Sequence, residues 1–274
     1  MAEHARHQPG VPLSRRSPRV VAAVRLHRRR ERDATGQFLA EGPQAVREAL
    51  AAGDVLDTFA TPDACDRYPE LTGGARLVAP DAMAALADTV TPQGIVAVCR
   101  HRDKPLPDTL ARRPRLVAVL VEIRDPGNAG TVLRTADAAG AGAVVFAGDA
   151  VDPYNGKCVR ASAGSLFHVD LVRGTAPGQV LAGLRGAGLR VLAADGYGET
   201  DLDELADAGG LRVPTAWLFG SEAQGLPEAV AAAADARVRV PLHGRAESLN
   251  LAAAAAVCLY TSARALRSSG EPSC

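Results

Sequence analysis

From residue 115 onward the chain repeats one pattern: a short apolar run of strand length, a polar or glycine-bearing turn, then a helical segment. The runs are Leu116–Val121, Ala143–Phe146, Val169–Val172, Leu189–Ala193, Ala216–Phe219 and Arg237–Val240. Strands that alternate with helices are joined by crossovers, which set the strands parallel and put helices on both faces of the sheet. The pattern therefore predicts an α/β fold class, with ligands bound beyond the carboxyl ends of the strands. A hydrophobic fraction of 47% and a charged fraction of 23% in 274 residues supply enough apolar material for such a core and argue against disorder.

The first hundred residues read differently. Residues 1–16 carry Pro9, Pro12 and no apolar period, and are expected to form a mobile tail. Ser17-Pro18 suits a helix start, with Val20, Val21 and Val24 at helical spacing after it. Short strands are expected at residues 36–40, 55–60, 76–79 and 95–99, with a helix from Gly42-Pro43 through Ala51. This gives a small α/β unit over 17–101. Pro105, Pro107 and Pro114, among charges, mark 102–114 as a linker, leaving 115–274 as the larger domain.

The formal net charge is zero, yet residues 1–32 hold nine arginines against Glu3 and Glu31, a net +7 that leaves −7 for the remainder. Such a basic end fits a polyanion partner or a solvated helix face. Five scattered cysteines without a C-x-x-C pair indicate neither a disulfide framework nor a zinc site, and the six histidines lack ligand spacing, so no metal is expected. With no signal-type apolar stretch, and the longest apolar run (Leu249–Tyr260) shorter than the ~18 residues a membrane span needs, a cytoplasmic protein is expected.

Three segments after strands carry polar residues that a core does not need. The first runs from Glu122 to Ala136, where Gly127 and Gly130 permit close backbone approach and Arg134 follows a helical turn later. The second is Gly220-Ser221-Glu222-Ala223-Gln224-Gly225, in which Glu222 could equally be a first-turn helix acid. In the third, Val240 to Leu251, Ser248 suits an N-cap. Gly156-Lys157 lacks the first glycine of a phosphate-binding loop, no dinucleotide fingerprint is present, and Ser162 lacks the glycine that would open a nucleophile elbow.

Taken in order, N-x-G-x-x-x-R-T-A at Asn128–Ala136, G-S-E-x-x-G at Gly220–Gly225 and S-L-N at Ser248–Asn250 resemble the SpoU family of RNA ribose 2′-O-methyltransferases, within the SPOUT class. More loosely, Glu41-Gly42 and Thr91-Pro92-Gln93-Gly94 resemble the L30e-like substrate-binding domain that often precedes it. The resemblance implies a trefoil-knotted α/β domain, S-adenosyl-L-methionine (S-adenosylmethionine) as cofactor, a homodimer, and RNA as substrate, rRNA ahead of tRNA. A noncatalytic RNA-binding or ribosome-assembly protein on the same fold is the other expectation it leaves open.

Carried over, Arg134 would stabilise charge on the attacking oxygen, while Asn128, Ser248 and Asn250 orient substrate and loops. Glu222 would hold a loop or assist proton removal. Cofactor loops would be residues 193–196, 220–222, 240–242 and 249–252, including Ala193, Gly220, Ser221, Val240, Leu242 and Leu249. Arg160 would clamp a phosphate, and Arg28, Arg29 and Arg30 would grip the RNA backbone.

Overall fold

The structure, a computed structural model, describes residues 11–268. They fall into two compact units: residues 11–101 together with 154–167, and residues 102–153 together with 168–268.

The first unit contains α1 (Pro18–Arg25), α2 (Arg29–Thr35), β1 (Gln37–Glu41), α3 (Pro43–Ala52), β2 (Val55–Ala60), α4 (Pro62–Arg67), α5 (Pro69–Thr72), β3 (Arg76–Leu77), α6 (Pro80–Leu86) and β4 (Ile95–Arg100). Its sheet has the order β1-β4-β2-β3, with β1 and β2 antiparallel to β4 and β3 parallel to β2. Val20, Ala23 and Leu26 of the α1 segment bury against Phe59, Met83 and Val96, which is why the valine period at 20–24 forms a helix here. Residues 11–16 are not a loose tail, because Leu13 exchanges backbone hydrogen bonds with Leu77 (2.8 Å) and Ala79 (3.0 Å). Residues 1–10 of the expected tail lie outside the described residues.

The second unit begins with α7 (Leu106–Ala111), β5 (Leu116–Val121), α8 (Pro126–Ala138) and β6 (Ala143–Ala147). After α9 (Gly156–Ser162), which belongs to the first unit, come β7 (Asp170–Thr175), α10 (Pro177–Gly186), β8 (Arg190–Ala194), β9 (Thr200–Asp201) and α11 (Leu202–Asp207). Then follow β10 (Thr215–Phe219), α12 (Glu228–Ala232), β11 (Ala236–Arg239) and α13 (Leu251–Ser268). Every pairing in its seven-stranded sheet, ordered β7-β6-β5-β10-β8-β11-β9, is parallel. All residues of β5, β6 and β10 are buried, as expected of strands covered on both faces. The six expected strands are present; the seventh, Thr200–Asp201, is a two-residue polar edge strand with no apolar period to reveal it.

Two boundaries differ from the sequence expectation. Residues 102–114 are not an open linker: Pro105 precedes α7 and Pro107 sits in its first turn, where a missing N–H costs nothing. Leu106 and Leu110 pack on α10 at Gly183, where an added Cβ would come within 3.0 Å of Leu106. Residues 154–167 join the first unit because Phe38 of β1 packs against Tyr154 and Phe167 at centroid distances of 4.7 and 6.0 Å. Tyr154 also stacks on His101 at 4.0 Å. Such long-range aromatic contacts leave no trace in local periodicity.

No helix among the described residues is long and apolar enough to cross a membrane. The Ala-rich α13 instead seals one face of the large sheet, where Trp217 Nε1 donates to Ser262 Oγ at 2.8 Å with both residues fully buried. Replacing Ser262 with Ala leaves a buried indole N–H without an acceptor, which should cost about 1–3 kcal/mol. The measurement is a urea titration, with the unfolding midpoint expected to fall at unchanged slope.

Candidate active site

The chain builds β5, β6 and β7 outward in one direction, then returns to place β10 beside β5 with Phe219 opposite Leu120. Where strand order reverses, the loops leaving adjacent carboxyl ends diverge and open a crevice. The first two polar segments leave from those two ends.

After β5 the chain turns at Glu122, which has φ +52°, and reaches Asp125, whose carboxylate accepts from Asn128 N at 2.8 Å. Asp125 is thus the N-cap of α8, with Pro126 in the first turn, and the cap fixes where Asn128 projects. After β10, Ser221 and Gly225 exchange backbone hydrogen bonds at 3.1 and 2.8 Å. A Cβ on Gly220 would lie 2.2 Å from the Gly225 carbonyl carbon, so no side chain fits there, and Gly225 takes φ +68°.

The third segment closes the arrangement. Asn250 Oδ1 accepts from Ala252 N (2.9 Å) and Ala253 N (3.4 Å), which starts α13. Its Nδ2 donates to Glu222 Oε1 at 2.6 Å and to Asn128 Oδ1 at 3.2 Å, and Leu251 N donates to the same Glu222 oxygen at 3.3 Å. Asn128, Glu222 and Asn250 therefore meet in one junction. Beside it lies a cavity of about 590 Å³ lined by Glu122, Arg124, Asp125, Asn128, Ser221, Glu222, Gln224 and Leu251, among others.

Asn250, not Ser248, provides the cap. Ser248 is exposed, and its hydroxyl makes no hydrogen bond among the described residues. Glu222 is likewise not a first-turn helix acid, since α12 begins at Glu228 and Glu222 is held by Asn250. Arg134 does not line the cavity. It stands on the exposed side of α8, opposite the buried Val132, Leu133 and Ala136, and among the described residues its guanidinium has no hydrogen bond or ion pair. A cation without a carboxylate partner keeps its full charge for a ligand.

Ala193 near the end of β8 and Val240 just after β11 lie at neighbouring carboxyl ends, outside the cavity lining, while Leu242 and Leu249 are 41% and 39% exposed. Arg160, expected as a phosphate clamp, bridges Glu41 at 3.3 Å and Asp88 at 3.0 Å, so two carboxylates already neutralise it. Of the basic cluster, Arg29 pairs loosely with Asp33 at 3.6 Å, while the guanidinium groups of Arg28 and Arg30 have no partner among the described residues. Arg32 is 3% exposed and donates to Leu26 O (2.9 Å) and His27 O (3.0 Å), closing the turn between α1 and α2.

The sequence reading missed Asp125, although Asp-Pro at a helix start is a legible cap signal. It also missed Glu122 and the rim pair Arg124–Asp149 (2.8 Å), for which no local signal exists. Burial pushes the thiols of Cys99 and Cys258 up to about 12 and keeps these two protonated at neutral pH, which disfavours them as nucleophiles.

Residues 115–260 match the model of the SpoU rRNA Methylase family, and residues 17–97 match an MRM3-like substrate binding domain. The chain is 35% identical over 238 residues to the 23S rRNA (guanosine(2553)-2'-O)-methyltransferase RlmP of Bacillus subtilis, covering 86% of this chain and 92% of that protein. It is 32% identical over 256 residues to a 23S rRNA (uridine(2479)-2'-O)-methyltransferase of Streptomyces viridochromogenes, covering 87% and 86%. Among solved structures, the SpoU methyltransferase AviRb of Streptomyces viridochromogenes with AdoMet superposes with a TM-score of 0.80 at 31% identity, over 93% of this chain and all of that one. An AdoMet-bound rRNA methyltransferase of Sinorhizobium meliloti gives 0.77 at 31%, over 90% and 95%. Motif order, sheet reversal and these matches agree, and the chain belongs to the SpoU rRNA methylase family.

Proposed function

We propose that this protein transfers a methyl group from S-adenosylmethionine to a ribose 2′-hydroxyl of 23S rRNA. The observation that carries the proposal is the Asn128–Glu222–Asn250 junction, where three segments distant in sequence meet beside a cavity at the sheet reversal. The named activities of the Bacillus subtilis and Streptomyces viridochromogenes relatives support it.

The residues present suit the cofactor. A cavity of about 590 Å³ is within the usual range for a ligand of that size, lined by backbone and polar side chains of the loops after β5 and β10. Loops 193–196, 220–222, 240–242 and 249–252 would hold it, with the C-terminal segment threaded as a knot. Bound there, S-adenosylmethionine supplies an electrophilic methyl on a sulfonium.

A ribose hydroxyl gains negative charge as it attacks. Arg134, a guanidinium cation without a partner among the described residues, stabilises that charge and positions the adjoining phosphate. Asn128, Ser248 and Asn250 orient the ribose and the loops, and Glu222 holds the Gly220–Gly225 loop against α13. Arg28, Arg29 and Arg30 grip the RNA backbone without reading sequence. Two copies pair through α13, where Ala253, Val257 and Tyr260 form an exposed stripe at helical spacing, with Val257 39% and Tyr260 49% exposed.

Three outcomes test this reading. Arg134→Ala should retain S-adenosylmethionine binding by calorimetry while transfer of tritiated methyl to rRNA falls about 10²–10³-fold; wild-type label should map to an alkali-resistant 2′-O position. Arg28→Ala with Arg30→Ala should weaken RNA binding and reduce the slope of log K against log salt by about 1 for each phosphate no longer neutralised. Val257→Glu with Tyr260→Glu should convert a dimer to a monomer in light scattering, and a wild-type chain that is already monomeric refutes the pairing.

A further inference from the structure

The methyl-transfer reading leaves open which group receives the proton of the ribose hydroxyl, and two glutamates border the cavity, Glu122 and Glu222. They are not equivalent. Glu222 Oε1 already accepts from Asn250 Nδ2 and from Leu251 N, so this carboxylate is engaged in holding the junction. The carboxylate of Glu122, a partly buried residue, has no hydrogen bond or ion pair among the described residues.

The backbone at Glu122 adds an independent observation. Its φ of +52° is the left-handed region, where a side chain costs of order 1 kcal/mol and glycine is favoured. Nothing in the packing asks for a glutamate there. Its Cγ and Oε1 lie 3.0 and 3.1 Å from the position a Cβ of Gly148 would take, at a glycine whose own φ of +68° already disfavours a side chain. The other charged groups around it are already engaged: Arg124 pairs with Asp149, Asp125 caps α8, and Glu222 is held by Asn250. A carboxylate on a strained residue that lines the cavity, with no partner among the described residues, is placed for chemistry and not for stability.

From this we infer that Glu122 is a further catalytic residue, the acceptor of the ribose 2′-hydroxyl proton. It rests on the methyl-transfer reading. In the step, the ribose oxygen forms a bond to the methyl carbon as the sulfur–carbon bond breaks. The electron pair of that bond stays on sulfur, giving a neutral thioether, and the hydroxyl proton passes to a Glu122 carboxylate oxygen. Glu222 then keeps one task, fixing the loop, while Arg134 stabilises charge and Glu122 removes the proton.

The test compares full-length wild type, Glu122→Gln and Glu122→Gly by three measurements. Single-turnover methyl transfer to rRNA should fall at least about 10²-fold in the Gln variant. S-adenosylmethionine affinity of that variant, by calorimetry, should stay within about threefold of wild type. The Gly variant should be equally inactive yet unfold in urea at a midpoint no lower than wild type, since glycine relieves the strained φ.

A Gln variant that transfers methyl within threefold of wild type overturns the assignment. So does an affinity loss in step with the rate, which makes Glu122 a contact to the cofactor, or a lowered midpoint in the Gly variant, which makes it a structural residue. A wild-type chain that methylates no RNA sinks the activity reading and this assignment with it, a result distinct from an active wild type beside an equally active variant.

Discussion

One carboxamide holds the second unit's working end together. Asn250 uses its oxygen to cap α13 and its nitrogen to bind both Glu222 and Asn128, so the start of the last helix, the loop after β10 and the first turn of α8 are fixed by a single side chain. An aspartate could cap the helix but not donate, and a serine could cap but lacks a second arm. Only an amide of this length does both, which gives the S-L-N motif a physical reason.

That junction depends on topology that no short stretch of sequence specifies. β5 and β10 must pair in parallel for their carboxyl ends to open side by side, and four other strands of the sheet are laid down before the chain returns. The strands themselves were legible, because buried parallel strands read as apolar runs. So were the glycines at 220 and 225, one demanded by close approach and one by handedness. What the sequence could not disclose were contacts with no period: the Phe38–Tyr154–Phe167 cluster that draws residues 154–167 into the first unit, the polar edge strand Thr200–Asp201, and α7 behind a run of prolines. Arg160 is a case of the same limit, since its neutralisation by Glu41 and Asp88 depends on partners 119 and 72 residues away.

Function is most visible where local rules are broken. Arg28, Arg29 and Arg30 crowd the N-terminal end of α2, where the helix dipole disfavours cations. Arg134 is left on a helix surface with no carboxylate to meet it among the described residues. Glu122 occupies a conformation that suits glycine. Each departure costs a little stability, offset among the described residues only in part, by the loose Arg29–Asp33 pair; a consistent sequence would have removed all three. Their common feature is a charge held ready for something not yet bound.

The three departures also divide by unit. On the proposed reading, the arginines of the first unit would act through phosphates, an interaction that salt screens and that carries no sequence information. On that same reading, Arg134 and Glu122 would act on one hydroxyl in a site built on a rigid sheet, where geometry decides the rate. Affinity and chemistry therefore respond to different conditions. High salt should act on the second-order rate through binding, while the bound complex keeps its intrinsic rate. Nothing in the Asn128–Glu222–Asn250 junction refers to which nucleotide is presented, and a grip on phosphates does not refer to it either, so the choice of target has to rest on contacts other than these two.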